Sequence, residues 1–155
     1  MSLTIGVCAF NEERNIKALL DDILGQEDLP ETANVIVVAS GCTDNTAGIV
    51  REVMTQDPRV LLVEEETRCG KASAVNQILA MSPSGLLALV DADIRLPRNS
   101  VTEVVRAFSD ETIGAVGAFP ILGNAENGTV AKSAAIIWRV MSRALGELSV
   151  RGELS

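Results

Sequence analysis

The stretch Gly85-Leu-Leu-Ala-Leu-Val-Asp-Ala-Asp93 decides the fold class, because an unbroken apolar run ends directly in two carboxylates. A short run without polar alternation is typical of a strand that is buried on both faces of a parallel sheet. Open α/β folds bind ligands beyond the carboxyl ends of such strands. The chain has no histidine, so a divalent metal such as Mg²⁺ or Mn²⁺ would depend on oxygen ligands. Asp91 and Asp93 are therefore the first candidates for a metal site.

Other apolar runs of strand length occur along the chain, and segments with helical periodicity lie between them. The runs are Leu3–Ala9, Ala33–Ala39, Val60–Val63 and Ile113–Phe119, in addition to Gly85–Val90. The pattern predicts β-α repeated four times, then a fifth strand over 113–119 and a last helix over 130–148. Such an order is typical of an α/β fold with a mostly parallel sheet and helices on both faces.

Composition narrows the class of protein further. A length of 155 residues with 47% hydrophobic residues predicts one folded domain over 1–155. The net charge of −8, without a basic cluster, argues against a nucleic-acid-binding surface. Three cysteines without Cys-x-x-Cys spacing, and no signal-peptide pattern, predict reduced thiols and a cytoplasmic protein. No apolar stretch reaches the roughly 20 residues that span a bilayer.

Polar and glycine residues follow each of the first four predicted strands. They are Asn11 and Glu12, then Ser40, Gly41, Thr43 and Asp44, then Arg68, Gly70 and Lys71, and finally Asp91 and Asp93. Because the carboxyl ends of parallel strands meet at one edge of the sheet, we expect these residues to converge. Two cations beside a helix start, with a metal held by the two carboxylates, suit a nucleoside diphosphate as a leaving group.

Four ordered motifs resemble those of family 2 glycosyltransferases. They are Val7-Cys-Ala-Phe-Asn-Glu-Glu-Arg-Asn-Ile16, Ser40-Gly-Cys-Thr-Asp-Asn-Thr46, Arg68-Cys-Gly-Lys-Ala-Ser-Ala-Val-Asn76 and Leu89-Val-Asp-Ala-Asp93. The resemblance covers about residues 3 to 120. It implies a Rossmann-like, GT-A-type fold that binds a nucleotide-diphosphate sugar with Mg²⁺ or Mn²⁺. It also implies metal-dependent sugar transfer, with inversion, to an acceptor hydroxyl on a saccharide or a lipid-linked molecule.

The resemblance assigns a role to each matching residue. The nucleoside pocket would be lined by Ala9, Phe10 and Glu12, and Asp44 would lie close behind it. The base or the diphosphate would be bound by Arg68 and Lys71. Asp91 would bind the ribose or the metal, and Asp93 would bind the metal. Ala92, within the acidic motif, and Ser40 belong to the same nucleotide-sugar-binding set. Relatives usually have an Asp where this chain has Ser40, which leaves the identity of the base open.

The resemblance ends before the part of the family that binds the acceptor. Nothing after Phe119 matches that part well, so the sequence predicts a donor-binding half without an identified catalytic base. Membrane association would then depend on a missing C-terminal part, at the inner face of the membrane. Two alternatives stay open, namely a nucleotide-sugar-binding module without turnover and a sugar-1-phosphate nucleotidyltransferase. The second expects a Gly-rich signature where this chain has Phe10-Asn11-Glu12.

Overall fold

The protein alternates strands and helices in the computed structural model, which describes residues 2–82, 85–110 and 112–118. The elements are β1 (Leu3–Ala9), α1 (Ile16–Leu24), β2 (Asn34–Ser40), α2 (Thr46–Gln56), β3 (Val60–Glu65), α3 (Lys71–Met81), β4 (Leu86–Asp91) and α4 (Ser100–Ala107). The chain divides into two units, 1–110 and 111–155, and all of these elements belong to the first. The prediction that 1–155 form one domain stays a prediction.

The four strands form one parallel sheet in the order β3-β2-β1-β4. The chain moves outward from β1 to β3 and then returns to the other side of β1. The strand order therefore reverses at β1, and the carboxyl ends of β1 and β4 flank a crevice. The pairing of Cys8 with Asp91 fixes the register at that crevice. The predicted α/β fold with a mostly parallel sheet is confirmed.

Helices cover both faces of the sheet, as predicted. One core contains α1 and α2 side chains packed on the strands, including Ile16, Leu20 and Val50, each fully buried. The other core is smaller and joins Ile78 of α3 to β2. A Cβ on Gly6 would lie 2.5 Å from the Ile78 side chain, so a glycine in β1 allows α3 to pack closely. In α3 only Ala74 and Ile78 are buried, and Leu79 is 53% exposed.

The prediction of a fifth strand is wrong for residues 113–118, which have no regular secondary structure. Glycines at 114 and 117 interrupt this apolar run, and Ile113 and Val116 are exposed rather than packed in a sheet. Glycine weakens a strand because it loses more backbone entropy and offers no side chain to pack. Phe119 and the predicted helix over 130–148 lie outside the described residues. Within the described part of the chain, no helix is long and apolar enough to cross a membrane.

Hydrogen bonds fasten the segment after β4 to α1. The Asp22 carboxylate accepts bonds from the Arg95 guanidinium and from the Leu96 amide. The Arg95 hydrogen bond is the main reason why the pKa of Asp22 lies below 3.8. The buried Gln26 amide donates to Pro97 O at 2.8 Å and accepts from Val101 N at 2.9 Å. These contacts fix the segment that follows Asp93 and the start of α4.

Replacing Gln26 with leucine tests this attachment. Gln26→Leu removes the bond that Val101 N donates and the two bonds that Pro97 O and Asp22 O accept, all in a partly buried place, so we expect a loss of about 1–3 kcal/mol in the free energy of unfolding. Urea denaturation measures the loss. Gln56, exposed at the end of α2, is the matched control, and Gln56→Leu should change stability by less than about 0.5 kcal/mol. Equal effects of the two substitutions would contradict the assigned role of Gln26.

Candidate functional site

A hydrogen-bond network ties the loop after β1 to the loop after β2. Asn11 adopts a left-handed backbone conformation with φ of 55°, and its side-chain oxygen accepts a bond from Thr43 N at 2.8 Å. The next amide, Glu12 N, donates to the hydroxyl of the buried Thr46 at 2.8 Å. Asparagine is among the residues that tolerate this conformation best. The network therefore fixes the direction in which the chain leaves β1.

Asp44 is the centre of this network and does not line the cleft described below. Its carboxylate accepts hydrogen bonds from Glu13 N at 3.0 Å and from the amide and hydroxyl of Thr46. Desolvation raises the pKa of Asp44, but these hydrogen bonds together outweigh it and hold the pKa below 3.8. The prediction that Asp44 lies close behind the nucleoside pocket stays a prediction. Its contacts make it a residue that shapes the loops.

An open cleft of about 320 Å³ lies at the carboxyl edge of the sheet. Its lining residues come from all four strand ends and from the start of α3: Cys8, Ala9, Phe10, Glu12, Ser40, Arg68, Gly70, Lys71, Ala74, Asp91, Ala92 and Asp93. All residues of the predicted nucleotide-sugar-binding set except Asp44 belong to this lining. The volume is at the lower end of the range of small-molecule sites.

Burial divides the lining into two groups. The buried members are small, namely Ala9, Ser40, Ala74 and Ala92. Arg68, Lys71, Asp91 and Asp93 are exposed and charged. Small side chains leave space at the base of the cleft, and the charges surround its opening. This arrangement suits a ligand that carries both charge and a flat or apolar part.

The polar contacts of Glu65 and Ser40 position the start of α3. Glu65, at the end of β3, accepts hydrogen bonds from Ser73 at 2.7 Å and from Gln77. The Ser40 hydroxyl accepts a bond from Cys69 N at 3.1 Å. The Ser40 side chain is the largest cause that holds the pKa of Glu65 below 4.5, followed by Ser73. The second Glu65 oxygen, Oε2, is buried and has no well-aligned partner among the described residues.

Two cations of the cleft contact other cleft residues. The Lys71 ammonium lies 2.5 Å from Asp91 Oδ1, and this hydrogen bond raises the pKa of Lys71 above 10.5. The Arg68 guanidinium carbon lies 3.9 Å from the centre of the Phe10 ring, which is a cation–π contact. Burial raises the pKa of the Cys8 thiol, so this thiol is neutral at physiological pH.

The acidic motif fits a divalent metal that is shared with a ligand. Asp91 and Asp93 offer exposed carboxylate oxygens on either side of the buried Ala92. Within residues 2–82, 85–110 and 112–118, no group of three or more acidic or cysteine side chains is arranged to hold a metal. Two carboxylates alone leave most positions of an octahedral ion open, which is usual for Mg²⁺ that also binds substrate phosphates. The donor set therefore fits an ion that arrives with a phosphate-bearing ligand.

Two lining residues, Cys8 and Ala74, were not predicted from the sequence. Cys8 is the penultimate residue of β1, which places it at the carboxyl edge of the sheet. Ala74 follows Lys71 by three residues, which places it on the same side of α3. The spacing was available in the sequence, but alanine carries no ligand-binding group and a partly buried cysteine commonly acts as a small apolar residue.

The comparison with known families agrees with this architecture. The profile of glycosyl transferase family 2 matches residues 4–152. The chain belongs to glycosyl transferase family 2, and its sheet is that of the GT-A-type fold. The resemblance drawn from the four motifs is thereby confirmed.

Individual relatives give the same result. The chain is 26% identical, over 97% of its length, to a beta-monoglucosyldiacylglycerol synthase of Nostoc sp.. The structure resembles that of the mannosyltransferase PcManGT from Pyrobaculum calidifontis in complex with GDP-Man and Mn²⁺, with 34% identity over 72% of this chain and a TM-score of 0.68. The fold also matches TarS of S. aureus in complex with UDP, at 22% identity over 79% of this chain and a TM-score of 0.64.

The chain spans about a third of these relatives. It covers 35% of the synthase, 33% of the mannosyltransferase and 39% of the TarS chain. The similarity therefore concerns only that share of each relative.

Gly41 provides a test of the packing around the cleft. Its φ is +62°, and a Cβ would lie 2.8 Å from both Arg68 Cα and Thr67 C, which are backbone atoms. Gly70 also has positive φ, at +86°, but a Cβ there has nothing within 4 Å. Gly41→Ala combines backbone strain with a clash, whereas Gly70→Ala has the strain alone. We expect Gly41→Ala to lower the free energy of unfolding by about 1–3 kcal/mol more than Gly70→Ala does.

Denaturant unfolding of both variants measures this difference. Gly70→Ala is the control, because it reproduces the unfavourable φ without the contact. Equal losses in the two variants would mean that the segment around Arg68 does not pack against Gly41 as described.

Proposed function

We propose that this chain is the donor-binding part of a metal-dependent glycosyltransferase that uses a nucleoside-diphosphate sugar. The observation that carries the proposal is the convergence of Arg68, Lys71, Asp91 and Asp93 around one cleft at the point where the strand order reverses. Two cations and two carboxylates at one opening suit a diphosphate together with a divalent metal.

The start of α3 supports the diphosphate assignment. Gly70 precedes the helix, and α3 has no side-chain cap and no acidic residue in its first turn. The amide groups of an uncapped first turn favour an anion. Lys71 is the first residue of the helix and adds a positive charge beside these amides. A diphosphate near this position would be contacted by both kinds of donor.

Asp91 and Asp93 would hold the metal, either Mg²⁺ or Mn²⁺. A bound divalent ion supplies charge neutralisation for a departing diphosphate. The complex of the related mannosyltransferase with GDP-Man and Mn²⁺ supports an ion of this kind. The role of this chain's residues is to bind and orient the donor: Asp91 and Asp93 through the metal, Lys71 and Arg68 through the diphosphate or the base.

The nucleoside would occupy the part of the cleft formed by Ala9, Phe10, Glu12 and Ser40. Phe10 is 37% exposed and offers a ring face on which a base stacks. Ser40 has the position where relatives usually have an Asp, so its hydroxyl would take the place of a carboxylate toward the base. Guanosine and uridine diphosphates are both candidates, since the complex of one similar structure contains GDP-Man and that of another contains UDP.

We also propose the class of the acceptor. A hydroxyl of a saccharide or of a lipid-linked molecule suits the family, and the similarity to a beta-monoglucosyldiacylglycerol synthase supports the lipid-linked class. Transfer with inversion requires a base that deprotonates the acceptor. The three free cysteines support a location in a reducing compartment, namely the cytoplasm or the inner face of a membrane.

A binding module without turnover is the second candidate. One observation favours it: all three carboxylates of the cleft, those of Glu12, Asp91 and Asp93, have assigned donor or metal roles. Among the described residues of the cleft, none is left to act as the base. An assay of sugar release and sugar transfer by the chain separates the candidates, because a module binds the donor and produces neither product.

Calorimetric titration with GDP and with UDP, each with and without Mn²⁺, tests the proposal. We expect binding of at least one diphosphate to strengthen when Mn²⁺ is present. Asp93→Asn should weaken metal-dependent binding by more than about 10-fold, because loss of a residue that only supports a metal ligand already costs about that factor. Metal-independent binding of the nucleotide should change little.

Glu52→Gln is the matched control for Asp93→Asn. Glu52 is exposed on α2, outside the cleft, and its replacement removes the same single negative charge. This control should leave both nucleotide and metal binding unchanged. If Asp93→Asn behaves like Glu52→Gln, the metal assignment is wrong.

A further inference from the structure

We propose that Lys71 is an internal counter-ion for Asp91 as long as no donor is bound, and that it leaves Asp91 and pairs with the diphosphate when the donor binds. This exchange would couple donor binding to metal binding. The inference rests on the proposed function and adds to it the regulation of the same site. Its basis is the contact between Lys71 Nζ and Asp91 Oδ1 at 2.5 Å.

The Lys71–Asp91 contact occupies a carboxylate that the metal would use. A monovalent ammonium and a divalent metal ion repel each other, so a metal ion at Asp91 is less favourable while Lys71 contacts the same carboxylate and no anion lies between the two cations. Entry of a metal alone must therefore either weaken the Lys71 contact or tolerate this repulsion. Without a donor, the cleft should consequently bind a free metal ion weakly.

The ion pair is weak enough to exchange. The side chains of Lys71 and Asp91 are 64% and 56% exposed, so solvent screens their attraction. Exposed pairs of this kind contribute little to stability, because water solvates each partner nearly as well as the partner does. A diphosphate, which carries more negative charge than a carboxylate, would compete effectively for the ammonium.

Lys71 has an unfavourable position when no anion is near. It is the first residue of α3, where the helix dipole is positive, and the first turn has neither an acidic residue nor a side-chain cap. Asp91 supplies the missing negative charge from β4. A bound diphosphate would supply it from the ligand, which frees Asp91 for the metal.

The exchange predicts that donor and metal bind with positive coupling. Each should raise the affinity of the other by the same factor, since coupling between binding equilibria is reciprocal. If Asp91 were never paired with Lys71, the cleft would bind the metal before the donor. Donor binding and metal binding would then be less strongly coupled through Asp91.

Binding of Mn²⁺ to the chain, followed by the electron paramagnetic resonance signal of the free ion, tests the proposal. Lys71→Met removes the ammonium and keeps a side chain of similar length. We expect this variant, without nucleotide, to bind Mn²⁺ up to about fivefold more tightly than the unmodified chain, because that factor corresponds to the free energy that an exposed ion pair contributes. The factor by which GDP or UDP raises Mn²⁺ affinity should fall in the variant.

Lys17→Met is the matched control. Lys17 forms an ion pair of the same 2.5 Å length with Asp21 on α1, with similarly exposed side chains, outside the cleft. This control removes the same charge and the same kind of contact, so it should leave Mn²⁺ affinity and its coupling to the nucleotide unchanged. Lys71→Arg keeps the charge and should retain most of the coupling.

The outcomes separate the exchange from the proposed function. If Lys71→Met weakens nucleotide binding but leaves the affinity for Mn²⁺ alone unchanged, Lys71 is an ordinary phosphate ligand and the exchange is wrong. An unchanged coupling factor in this variant also overturns the exchange. If the unmodified chain binds Mn²⁺ no better with a nucleoside diphosphate than without it, the proposed function itself fails.

Discussion

The reversal of strand order at β1 is the constraint on which the cleft depends. β1 pairs in parallel with β2 on one side and with β4 on the other, so the chain must leave its carboxyl end between two neighbours that diverge. Residues that are about eighty positions apart in sequence then lie side by side. Cys8 and Asp91, which are register partners, define this meeting point. Without the reversal, the acidic motif and the residues after β1 would have no common surface.

Polar contacts between loops turn this crevice into a defined cleft. Asp44 and Thr46 hold the backbone after β1, and Glu65 holds the start of α3 through Ser73 and Gln77. None of these five residues lines the cleft itself. The backbone around the cleft is therefore fixed by residues outside the lining, whereas the ion pair of Lys71 with Asp91 is formed by exposed side chains. That combination explains how Lys71 could exchange partners without any change in the sheet.

Much of this arrangement follows from the sequence, because the physical causes are local and repeated. Unbroken apolar runs predicted all four strands, and the parallel order placed the polar ends of those strands together. The fifth strand over 113–118 was wrong, since an apolar run with two glycines has strand composition but forms no strand here. Helical periodicity alone also does not tell how wide the buried face of α3 is, and Leu79 is exposed there. The ion pair of Lys71 depends on register between distant elements, which no local pattern specifies.

The central claim is that one cleft holds the donor diphosphate and the metal between β4 and the start of α3. The most direct measurement is a crystal structure of the chain with a nucleoside diphosphate and Mn²⁺, with anomalous scattering used to locate the ion. We expect an anomalous peak beside Asp91 and Asp93, with the diphosphate between that ion and Lys71. An ion and a diphosphate bound at any other surface of the chain would contradict it.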